Sequence, residues 1–76
     1  MAVANVHADF STSRQTIRTL MEQVRAEYAE MPGLSITLPQ AQRLWAVEQH
    51  TCQEALSRLV SRGVLRRTRN GRFIRA

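Results

Sequence analysis

Seventy-six residues allow one small domain, in which about 60% of the unfolded chain's surface can be buried. A hydrophobic content of 43% with 22% charged residues is ordinary for a globular chain and argues against wholesale disorder. The formal net charge is +5, every one of the eleven basic residues is arginine, and nothing approaches the roughly 18 consecutive apolar residues of a membrane span.

Residues 1–11 show no hydrophobic periodicity and are expected to form a flexible N-terminal arm, leaving residues 12–76 as the domain. The segment Met1–His7 has neither a basic stretch nor a long apolar run, so a cytoplasmic location without a secretory signal is expected. From Ile17 the pattern changes: Ile17, Leu20, Met21, Val24, Tyr28 and Met31 fall within about 60° of one line at helical spacing. Thr12-x-x-Gln15 fits a capping box and Pro32-Gly33 a stop, which predicts a first helix over about residues 12–31. Arg18, Glu22, Arg25, Glu27 and Glu30 would form its solvated face.

Leu34-Ser35-Ile36-Thr37-Leu38 alternates apolar and polar residues and predicts a very short strand. Thr37-x-x-Gln40 is a second capping-box pattern, with Pro39 in the first turn, where its missing N–H costs nothing. The second helix is expected to run to about Ala46, with Ala41, Leu44 and Trp45 inward and Gln40, Gln42 and Arg43 outward. Val47-Glu48-Gln49 leads at once into a third helical pattern over about residues 49–62. Glu48 is a cap candidate, and Cys52, Ala55, Leu56, Leu59 and Val60 form the inward stripe. Gly63 is placed to end this helix in a left-handed conformation. The opposite face carries His50, Gln53, Glu54, Ser57, Arg58 and Ser61.

The last segment reads as a β-hairpin about Asn70-Gly71, the dipeptide favoured by a two-residue type I′ turn. That turn pairs Arg69 with Arg72, Thr68 with Phe73 and Arg67 with Ile74, and sets Leu65 and Ile74 on the core face. The like-charged Arg69–Arg72 pair would be unfavourable on a free hairpin, and a polyanion at the tip would relieve it.

Charge is segregated along the chain. Residues 1–54 carry four arginines against all six acids, a balance of −2, whereas residues 55–76 carry seven arginines and no acid, +7. A one-sided field of this kind attracts polyanions, and guanidinium forks suit phosphate oxygens and guanine edges.

Taken together, the element order resembles a winged helix-turn-helix domain of bacterial or phage regulators, three helices with a C-terminal two-stranded wing in a mainly α fold. The residues that carry the resemblance run from Leu34 to Trp45 and from Ala55 to Phe73, above all Leu56-x-x-Leu59-Val60-x-x-Gly63-Val64-Leu65. The resemblance implies sequence-specific binding of double-stranded DNA by a small transcriptional regulator, with the third helix in the major groove and the wing on the backbone or minor groove. His50, Thr51, Gln53, Glu54 and Ser57 then become candidate base readers, Gln53 for an adenine edge and Glu54 for cytosine N4. Gln40, Arg43, Arg58, Arg66, Arg67, Arg69, Asn70 and Arg72 become candidate backbone contacts. A homodimer would engage two half-sites about one helical turn apart.

A rival expectation is a winged-helix interaction or assembly module that binds an acidic protein partner, which Glu54 favours. Cys52 is expected to be a buried, inert thiol, and Trp45 and Tyr28 core residues with polar tips at the rim. One cysteine and two distant histidines give no metal set, and no cofactor is expected. There is no Ser-His-Asp set, paired-carboxylate site or phosphate-binding glycine loop, so the chain is not expected to be an enzyme.

Overall fold

The structure, a computed structural model, describes the backbone of residues 13–76 and side chains from Thr16 onward. The expected N-terminal arm and the Thr12-x-x-Gln15 capping box lie outside the described residues. Among them are three helices, α1 (Ser13–Glu30), α2 (Leu38–Trp45) and α3 (Gln49–Ser61), and three short strands, β1 (Ile36–Thr37), β2 (Leu65–Arg67) and β3 (Arg72–Arg75). The protein is therefore mainly helical with a small antiparallel sheet. No helix among the described residues is long and apolar enough to cross a membrane.

In α1 the apolar spacing does what it predicts: Leu20, Met21, Val24 and Tyr28 are buried, with Ile17 packed at the core's edge. The Tyr28 hydroxyl donates to the Phe73 carbonyl at 2.6 Å, tying the helix to the sheet. Met31, expected in the same stripe, is 47% exposed because the helix ends at Glu30 and Met31 opens a turn closed by Leu34 N–H to Met31 C=O.

The Thr37–Gln40 capping box forms in both directions. Gln40 N–H donates to Thr37 Oγ1 at 3.4 Å, and Thr37 N–H donates to Gln40 Oε1 at 2.9 Å. On α2, Ala41 is buried and Trp45 half-buried, but Leu44, expected inward, is 52% exposed. An eight-residue helix meets the core over a narrow arc, and Leu44 lies about 60° from Ala41 on the side away from Trp45.

The turn into α3 is tight although it contains no glycine. Ala46 takes the left-handed conformation (φ 52°, ψ 49°), and Val47 N–H closes back on Gln42 C=O at 3.1 Å. Glu48 then caps α3, its Oε1 accepting from Thr51 N–H at 2.6 Å and Thr51 Oγ1 at 2.9 Å. Cys52, Ala55, Leu56 and Leu59 are fully covered and form the centre of the core. Gly63 (φ +77°) ends the helix with paired bonds, Gly63 N–H to Val60 C=O and Val64 N–H to Leu59 C=O, the two-bond left-handed cap its position predicts.

The sheet corrects the sequence reading in two respects. It has three strands in the order β1-β3-β2, so the hairpin is joined by Ile36–Thr37 rather than standing alone. Its register also differs by one residue: Leu65 faces Arg75, Arg66 faces Ile74 and Arg67 faces Phe73, while Ile36 faces Phe73 from the other side. The turn is not type I′, since Asn70 does not have positive φ. Gly71 alone does (+79°), with Gly71 N–H bonded to Thr68 C=O and Thr68 N–H to Arg72 C=O across a three-residue loop.

A one-residue slip exchanges the faces of one strand relative to the other. Leu65 and Phe73 thus share the core face with Ile36, and Ile74 lies half-buried on the other side with Arg66. The larger apolar gain decides the register, because the aromatic ring of Phe73 is buried beside Leu65 in place of Ile74. Arg69 consequently sits in the loop, and the expected Arg69–Arg72 cross-strand pair does not form.

Candidate nucleic-acid interface

The core stripe of α3 leaves its opposite face free. At 100° per residue, His50, Glu54, Ser57 and Ser61 lie farthest from the core, with Gln53 on one shoulder and Arg58 on the other. His50, Gln53, Ser57, Arg58 and Ser61 are exposed, and no large apolar side chain interrupts them. Thr51 is half-buried and its hydroxyl is engaged by Glu48, so it serves the helix cap. That contact also holds the exposed Glu48 carboxyl below its ordinary pKa, chiefly through the Thr51 N–H bond.

Glu54 and Arg58 are bound to each other, Arg58 Nε to Glu54 Oε2 at 2.9 Å, the only ion pair among the described residues. The acid in the middle of this face is therefore neutralised by its own helix. Their i, i+4 spacing, acid first, was the signal for this pairing in the sequence.

On the Gln53 shoulder, α3 and the hairpin enclose a groove of about 310 Å³. Gln53, Ser57 and Ser61 form one wall and Arg67 the other, above Leu38, Val60 and Phe73. Arg67 holds its position by stacking, its guanidinium 5.8 Å from the Phe73 ring centroid. Of the candidate base readers and hairpin arginines, the structure thus brings Gln53, Ser57 and Arg67 to one groove. Its apolar floor is Val60, expected on the inward stripe, with Leu38 and Phe73, which the sequence did not place here, since only the observed register turns Phe73 toward α3.

The remaining basic residues divide among other places. Arg66 and Arg72 occupy the sheet face away from the core, by the strand alternation that places Leu65, Arg67 and Phe73 opposite. Arg72 is steadied by a bond from its Nη1 to Ser35 C=O at 3.2 Å, and Arg69 and Asn70 lie exposed at the loop. Arg43 is exposed on α2, and the Gln40 carboxamide oxygen is engaged in the capping box. Arg62 turns to the side of α1. No group of three or more potential metal ligands occurs among the described residues. Cys52 is buried, which pushes its thiol pKa up and keeps it protonated.

Compared with protein families, with curated proteins and with solved structures, the chain matches none.

Proposed function

We propose that the protein is a sequence-specific double-stranded DNA-binding module of winged helix-turn-helix type, acting as a small transcriptional regulator. The observation that carries this reading is the polar, apolar-free face of α3 with Arg67 of the hairpin across the groove beside it. A helix of α3's 13 residues is about 20 Å long, and its diameter of roughly 10–12 Å suits a major groove about 12 Å wide. His50, Gln53 and Ser57 would meet base edges, and Gln53 has the donor and acceptor needed for adenine N6 and N7. Glu54 would reach cytosine N4 only through the oxygen that Arg58 leaves free. Arg66, Arg67 and Arg69 would hold phosphates, and Arg43 would brace α2 against the backbone. Pairing of two copies would let the module span two half-sites.

The opposing reading, a module that docks an acidic protein, draws on exposed Leu44 beside Arg43. Selection of bound sequences from a random duplex library separates the two. The DNA reading predicts an enriched motif whose preference changes in Gln53→Ala, while Arg66→Ala/Arg69→Ala weakens all sequences alike. Recovery of no motif, with binding no better than that of any basic protein, contradicts it.

A further inference from the structure

On the other shoulder of α3, α1 and α3 enclose an open cleft of about 590 Å³. Arg18, Glu22 and Arg25 line it from α1, Arg58 and Arg62 from the end of α3, and buried Met21 forms its floor. The spacing explains the grouping: 18, 22 and 25 share one face of a helix, and so do 58 and 62. In sequence Arg18 and Arg25 belong to the acidic part of the chain. Folding sets them across a cleft from two arginines of the basic part, and all four are exposed.

Four guanidinium groups and one carboxylate give this lining a formal charge of +3, of which the Glu54 carboxylate paired with Arg58 offsets one. Among the described residues only Arg58 has an ion-pair partner, Glu54, outside the cleft. Gathering like charges between packed helices works against folding, so a ligand of opposite charge gains whatever repulsion it relieves. A single carboxylate would leave most of that charge uncompensated. Two or three linked phosphates would match it, and each phosphate presents oxygens to which guanidinium forks bind in pairs.

We propose that the α1–α3 cleft is a phosphate-binding site separate from the hairpin, taking two or three linked phosphate groups. They come from a free oligophosphate or from successive positions of a nucleic-acid backbone.

Calorimetric titration with inorganic tripolyphosphate at low salt tests the site. Arg18→Ala/Arg62→Ala removes one guanidinium from each wall, and Arg66→Ala/Arg69→Ala removes the same charge from the hairpin. The cleft variant should bind about tenfold or more weakly, and the hairpin variant should stay within about twofold of the parent protein. Equal weakening in both variants, or in neither, overturns the assignment. Circular dichroism verifies folding, and Arg18→Gln/Arg25→Gln, confined to the exposed face of α1, replaces the first variant if Arg62→Ala unfolds the chain.

A fluorescent duplex then distinguishes the two sources. Loss of duplex affinity in the cleft variant assigns the phosphates to a nucleic-acid backbone, whereas unchanged duplex affinity assigns a free oligophosphate. A parent protein that binds tripolyphosphate but no duplex contradicts the DNA reading and leaves the cleft assignment standing.

Discussion

Tyr28 joins the two halves of the fold through one atom. Its ring is buried under the sheet, and its hydroxyl supplies a 2.6 Å bond to the Phe73 carbonyl. Burial pushes the phenol pKa up to about 12 from 10.0, because desolvation disfavours the charged phenolate. In the unfolded chain the phenol ionises near its ordinary value, so this stabilisation is intact below pH 10 and is lost as pH rises toward 12. The loss should reach about 2 kcal/mol, measurable as a falling urea midpoint over that window. Tyr28→Phe should begin about 1 kcal/mol less stable, lacking the hydrogen bond, and should decline less over that window, retaining only the part owed to the buried Cys52 thiol. An equal alkaline loss in Tyr28→Phe would assign the effect elsewhere; arginine titrates too high to produce it.

Glu54 shows how a neighbour changes a residue's meaning. Alone it would repel phosphate, but paired with Arg58 it presents no net charge to a duplex. Ala46 is similar in being unremarkable by type: it carries the left-handed turn between α2 and α3 that glycine usually carries, at a backbone cost of about 1 kcal/mol.

Among the elements, the helices were legible because their signals are local. Capping at Thr37–Gln40, the Glu48 cap, the Gly63 terminator and the Cys52–Leu59 stripe depend on neighbours within a turn or two. The hairpin was only half legible. Asn70-Gly71 located the loop, but register followed from β1, some 35 residues away, and from the burial of Phe73 beside Ile36. Substitution distinguishes the two registers: Phe73→Ala should cost about 3–5 kcal/mol, whereas Ile74→Ala, half-buried on the other face, should cost roughly 1 kcal/mol. Thermal or urea unfolding reads both, and the reverse order would restore the two-residue turn. The same limit hid the groove at Gln53 and Arg67, which exists only with Phe73 turned inward.

For the whole molecule, the linear charge count was right in sum and incomplete in space. The seven arginines of residues 55–76 do not form one cradle. Arg67 lines the groove beside α3, Arg66 and Arg72 occupy the sheet's other face, and Arg58 and Arg62 meet Arg18 and Arg25 at the α1–α3 cleft. A polar helix face therefore lies between two arginine-bearing clefts, an arrangement that needs the packing of α1 on α3 and that no local pattern announces. It suits a ligand whose charge lies on both sides of the surface it presents. The most direct measurement is the affinity for a fluorescent duplex across a series of salt concentrations. If phosphates are gripped as proposed, log K should fall with log salt at a slope of about −3.5 to −6, as expected for roughly four to seven neutralised phosphates. An affinity that stays flat as salt rises would contradict the account.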